Sequence, residues 1–155
     1  LGAVQSLELL TDAAGSIAFG WIQERVLYAR FDGRLSADLG SAFARRLGAL
    51  VEPVDSLKYF ADARCVQSYD LLARSAFVRV LLAHRRKFEV LELLAPLASS
   101  GPASRSMFES LGSSATITTD AEEFELRLFA VAPSARWKLD AKLDARLALR
   151  TPLSR

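Results

Sequence analysis

From Arg25 onward the apolar residues of this chain switch repeatedly between a two-residue period and a helical one, and this alternation restricts the fold more than any other feature. Arg25 to Phe31 sets Val26, Tyr28 and Arg30 on one side and Leu27, Ala29 and Phe31 on the other, as an extended strand does. Asp32-Gly33 reads as the turn that breaks this strand, because glycine accepts the positive φ of tight turns. Ser36 is then an N-cap, with Asp38 well placed against the helix dipole. Leu39, Phe43, Leu47, Leu50 and Val51 share one face of the helix that follows, and Pro53 ends it.

The next unit is central. An apolar strand, Leu57–Ala61, leads through Asp62–Val66 and a polar loop, Gln67-Ser68-Tyr69-Asp70, into a helix from Leu71. Glu89–Leu94 alternates again and stops at Pro96. Ser104–Leu111 reads as a short helix with Met107, Phe108 and Leu111 for its apolar face, closed by Gly112. Ala115–Thr119 is a β-branched strand, and Asp120 caps a helix bearing Phe124, Leu128 and Val131. Four strand-helix pairs in succession predict helices packed on a mostly parallel sheet, joined by right-handed crossovers.

The helix from Leu71 stands out. At 100° per residue Leu72, Ala76, Val80 and Ala83 fall on one side and Leu71, Val78 and Leu82 nearly opposite, with Arg74, Arg79, Arg85 and Arg86 between them. One face covers the sheet; the other calls for a neighbouring helix, a partner chain or a ligand.

Before Arg25, Ser6–Leu10 reads as a strand, Thr11–Gly15 as a hairpin-like connection and Ile17–Trp21 as a continuation. After Pro133, Lys138, Lys142, Arg146 and Arg150 recur every fourth residue, as do Leu139, Leu143 and Leu147. This narrow leucine row suits a terminal helix docked on the domain or on a partner; a membrane surface is the least favoured contact, because single rows anchor weakly. The organisation expected is one domain over residues 1–132, with a strand or hairpin in 1–24, and a helical tail over 133–155.

Composition removes several functions. A chain of 155 residues is long enough to bury a core without staples. Its net charge of +2 falls short of a nucleic-acid footprint. One cysteine and one histidine exclude an internal disulfide and a Cys/His metal cluster. No glycine-rich phosphate cradle or nucleophile elbow occurs, so no cofactor is expected. No apolar run reaches membrane-span length and the start shows no signal-peptide pattern, so the expected compartment is the cytoplasm. Beginning at Leu1, the chain reads as a fragment or processed product.

The stretch Arg25-Val26-Leu27-Tyr28-Ala29-Arg30-Phe31-Asp32-Gly33-Arg34-Leu35-Ser36, the strand-loop-helix from Leu57 and the strand Glu89–Leu94 together resemble the STAS-like, or anti-sigma-factor-antagonist, family of bacterial signalling domains over about Arg25 to Leu128. The resemblance implies an α/β fold with a mixed, mostly parallel sheet of about four to six strands and helices mainly on one face. In phosphorylated members an Asp-Ser-Ser-Gly-like motif before the second helix carries the phosphoacceptor at its second serine. Here Ser68 falls on the first serine, Tyr69 on the acceptor and Asp70 on the glycine, which argues against a standard phosphoserine switch.

The resulting expectation is a non-enzymatic regulatory or scaffolding domain that binds a protein partner, or self-associates, through Gln67, Ser68, Tyr69, Asp70 and Arg74. Ser68 is the one possible phosphorylation site, at a helix N-terminus where added charge is favoured, although a capping role is the plainer reading. Asp70 and Asp62 are read as carboxylates offered to a partner or as a helix cap and a strand end. His84 has no orienting acid or nucleophile by spacing, and Cys65 reads as a small buried side chain. The alternative is a carrier of small apolar ligands or lipids, using space beneath the doubly apolar helix.

Overall fold

A computed structural model of the chain describes residues 7–96, 110–112 and 114–133. In chain order these form β1 (Glu8–Thr11), β2 (Gly15–Gln23), β3 (Val26–Leu35), α1 (Ala37–Val51), β4 (Leu57–Tyr69), α2 (Leu71–Ala83), a turn of 3-10 helix (Arg85–Lys87), β5 (Phe88–Leu94), β6 (Ala115–Thr118) and α3 (Ala121–Val131). The strands lie side by side in sequence order in a six-stranded sheet. The first two pairings are antiparallel hairpins, and every pairing from β3 to β6 is parallel. The expected short helix falls mostly on residues 104–109 and the leucine-row tail on residues 134–155, both outside the described residues.

The hairpin predicted at Thr11–Gly15 forms because Asp12 Oδ1 accepts from the N–H groups of both Ala14 and Gly15 at 2.9 Å, closing an Asx turn. Asp32-Gly33, however, does not end β3, which continues to Leu35. The glycine serves the interior of the strand. It holds φ +79, and a Cβ there would come 2.5 Å from the Ala14 carbonyl oxygen, so the β1–β2 turn can cross β3 only at a residue without a side chain.

The two faces of β3 are those its alternation predicts. Leu27, Ala29 and Phe31 join the core shared with α1 and α2, while Val26 and Tyr28 join the core shared with α3. On the first face Phe43 of α1 meets Phe19, Phe31 and Phe77 at ring separations of 5.1, 5.2 and 5.5 Å, all near edge-on. On the second, Phe124 of α3 meets Phe60 edge-on at 5.8 Å. Among the described residues two helices therefore cover one face and one the other, and the fold is α/β with a mixed sheet.

α2 is amphipathic about an axis different from the one expected. Ala73, Phe77 and Leu81 turn inward at helical spacing, Ala73 fully buried and Phe77 packed among the core aromatics. Leu71 and Leu72, from the two faces predicted to seek cover, are 74% and 70% exposed. At the crossing with α1, Gly40 lets the backbones close: a Cβ on it would lie 2.5 Å from the Cβ of Ala73.

Candidate functional site

The stretch expected to be a polar loop is the end of a strand. β4 runs without interruption from Leu57 to Tyr69, and its last rungs pair Ser68 with Arg34 and Tyr69 with Leu35. Polar composition suggested a loop, but backbone pairing with β3 decides the conformation. Only Asp70 separates strand from helix.

Asp70 occupies the N-cap position of α2 yet makes no cap bond to it. Its carboxylate accepts instead from the Ala37 N–H at 3.1 Å and from Arg34 Nη2 at 3.3 Å, while its own N–H donates to Leu35 O at 2.9 Å. The side chain thus stabilises the positive end of α1 and ties it to the β4–α2 junction. Ser36 caps the same helix, accepting from Leu39 N–H at 3.1 Å and donating to Asp12 Oδ2 at 2.7 Å.

Around this junction the expected binding residues come together, with Gln67 and Ser68 exposed and Tyr69 38% exposed. The guanidinium of Arg74, one turn into α2, stands 5.9 Å from the centre of the Tyr69 ring. Leu71 and Leu72 project beside them. Behind Tyr69 lies an apolar cavity of about 140 Å³ between α2 and the sheet, whose walls include Ala63, Val66, Phe77, Val78, Leu93 and Ile117.

Asp62 is fully buried, so it is not available to a partner as expected. Arg64 reaches back from the same strand, with Nε 3.1 Å from both carboxylate oxygens and Nη2 2.8 Å from Oδ2, and also binds Glu125 of α3 at 2.9 Å. The hydrogen bond to Asp62 foremost, against the cost of burial, holds the Arg64 guanidinium even more firmly protonated. The Tyr28 hydroxyl lies 3.4 Å from Asp62 Oδ2, and burial above all pushes that phenol well above its usual range. Cys65 is half-buried, with Arg30 Nη2 3.7 Å from its sulfur.

His84 lies at the far end of α2, 3.7 Å from Glu52 Oε2. Beside it Lys87 donates to the carbonyls of Val51 and Glu52 at 3.3 and 2.7 Å, so it caps the C-terminus of α1. Among the described residues no cluster of metal-ligating side chains occurs.

No family model and no curated protein matches the chain. Among solved structures, it is similar to an uncharacterised protein of the DUF3478 family with a SpoIIAA-like fold from Shewanella loihica, at a TM-score of 0.58 and 14% identity, covering 77% of this chain and 98% of that one. The fold is SpoIIAA-like, that is, STAS-like. A second similar structure is the anti-sigma factor antagonist SpoIIAA in its unphosphorylated form, at a TM-score of 0.46 and 15% identity over 79% of this chain and 96% of that one. No helix among the described residues is long and apolar enough to cross a membrane.

Within this STAS-like domain, sequence reasoning missed Phe77, Ala63 and Val66 as cavity walls and the Tyr28–Asp62–Arg64–Glu125 network. Phe77 was legible, at i+4 from Ala73 and i−4 from Leu81. The network was not, because Tyr28, Glu125 and the Asp62–Arg64 pair lie far apart in the chain and meet only where β3, β4 and α3 pack together.

Proposed function

We propose that this chain is a regulatory or scaffolding domain that binds a protein partner at the β4–α2 junction. The observation that carries this reading is the exposure of Leu71 and Leu72, at 74% and 70%, directly beside the part-exposed Tyr69. Clustered apolar side chains rimmed by polar residues are the usual mark of an interaction surface. Arg74 adds a cation on an aromatic ring, the residue pairing that recurs at binding hot spots. Binding is constitutive: Ser68 has an exposed hydroxyl, but the Asp70 carboxylate two residues on opposes a second negative charge there.

The test is a pull-down from the native host with wild type, Leu71→Ser/Leu72→Ser and Tyr69→Ala. A specific partner retained by wild type and lost from both variants, with unchanged circular dichroism, is the expected result. Equal recovery on all three baits removes the reading.

The carrier reading draws on the apolar cavity, and the cavity's size weighs against it. At about 140 Å³ it is comparable to apolar cavities of roughly 150 Å³ that hold one benzene, whereas drug-sized ligands occupy roughly 300–1,000 Å³. Native mass spectrometry of the purified chain is expected to give the bare protein mass; a co-purifying lipid would reverse the preference.

A further inference from the structure

Tyr59 sits in the interior of β4, opposite Leu27 of β3 and Leu91 of β5, and is 2% exposed. A phenol this deep ordinarily has a hydrogen-bond partner. Tyr28, on the other face of the sheet, has one in Asp62 Oδ2 at 3.4 Å. Among the described residues the Tyr59 hydroxyl has none, and burial is the one cause that raises its phenol. Taking a hydroxyl out of water without returning a bond costs stability that phenylalanine in the same place would keep.

Among the described residues Arg30 Nε is the one unpartnered side-chain nitrogen or oxygen with no accessible surface. The Tyr59 oxygen therefore keeps some surface, and Tyr59 is a wall of the apolar cavity between α2 and the sheet. Its hydroxyl is accordingly a polar point inside an almost wholly apolar space. Water is a poor occupant: it needs roughly two to four polar partners, and Phe43, Leu47, Phe77 and Leu91 in the same walls supply none. A ring is a better one. The volume of about 140 Å³ is close to the roughly 150 Å³ that accepts benzene. Phe31, Phe43 and Phe77 line the space and meet one another edge-on or tilted, as aromatic rings prefer.

We propose that this cavity binds a monocyclic aromatic molecule with one oxygen acceptor, its ring among the three phenylalanines and its oxygen accepting from the Tyr59 hydroxyl. A ligand so small makes few contacts and exchanges quickly. It is lost on purification and leaves the bare protein mass expected above. The site is separate from the partner surface at Leu71 and Leu72 and does not depend on it.

The probes are acetophenone, which carries a carbonyl oxygen, and α-methylstyrene, which has the same shape with a methylene in its place. Each is titrated into the full chain and followed by amide resonances. In wild type both should shift those of the cavity walls, Ala61 and Leu91 among them. Tyr59→Phe should weaken acetophenone about fivefold to tenfold and leave α-methylstyrene unchanged, the loss of one hydrogen bond without a change of shape. Without ligand, its urea midpoint at neutral pH should be no lower than that of wild type, because the hydroxyl it removes has no partner to lose. A lower midpoint means that the hydroxyl is already bonded and overturns the proposal. So does the failure of both probes to bind, or an equal effect of Tyr59→Phe on the two. None of these results touches the protein-binding reading, which fails separately if Leu71→Ser/Leu72→Ser recovers the same proteins as wild type.

Discussion

Gly40 and Gly48 lie two turns apart in α1, and helix propensity alone would favour alanine at either by about 1 kcal/mol. Gly48 has open space where a Cβ would go, so Gly48→Ala is expected to stabilise the protein by about 0.5–1 kcal/mol. At Gly40 the added methyl meets both the Cβ and the Cα of Ala73, at 2.5 and 2.6 Å, and the helices must part. Overpacking of this kind costs about 1–3 kcal/mol, which exceeds the propensity gain, so Gly40→Ala should lower the urea midpoint while Gly48→Ala raises it. Shifts of the same sign in both would mean that α1 and α2 do not meet at this crossing. Asp62 poses a similar contrast. Arg64→Ala strands a buried carboxylate and should cost about 3 kcal/mol, whereas Glu125→Ala, at the exposed end of the network, should cost about 0.5 kcal/mol or less, both read from urea midpoints. The caps Ser36 and Asp120 were legible at this scale because a capping bond spans three residues. The bond from Ala37 to Asp70 was not, since it joins residues 33 apart that only the fold brings together.

For α2 the helical period was legible but its phase was not. The arginines at 74 and 79 and the leucines at 71, 72 and 82 blur the apolar stripe, and the choice of inward face is made by Phe31 and Phe43 across the gap. Phe77 packs 5.6 Å from Phe31 and 5.5 Å from Phe43, and Phe77→Ala should cost about 3 kcal/mol or more in equilibrium unfolding. Leu71→Ala, at a residue 74% exposed, should change stability by about 0.5 kcal/mol or less. Comparable losses in the two variants would show that the exposed leucines are buried after all and would remove the basis for a docking surface. β4 taught the opposite lesson. Its apolar half was legible as a strand, while Gln67-Ser68-Tyr69-Asp70 looked like a loop because the polar end of a strand near the surface has no need of apolar alternation.

At the scale of the whole molecule, the parallel order β3 to β6 followed from alternation, because each parallel neighbour requires a crossover, and α1 and α2 fall on one face by its handedness. α3 differs: it follows β6, the last strand among the described residues, and takes the face where Val26, Tyr28 and Phe60 lack cover. Covering both faces places a phenol deep on each side, Tyr59 under α2 and Tyr28 under α3, at 2% and 3% exposure. Burial drives both hydroxyls above the ordinary value of 10.0, with Asp62 adding to the effect at Tyr28. The folded protein therefore keeps protons that the unfolded chain releases near pH 10. Each tyrosine's contribution is complete below that pH and is lost above it, by about 1.4 kcal/mol per pH unit. Urea unfolding followed by tryptophan fluorescence should show stability falling as pH rises above about 10, and Tyr59→Phe should make the fall shallower by about 1.4 kcal/mol per unit while leaving its onset in place. Cysteine and lysine titrations are common to both proteins and cancel in the comparison. Parallel pH profiles for wild type and Tyr59→Phe would mean that the phenol titrates freely in the folded state, and hence that the layer between α2 and the sheet is open to water.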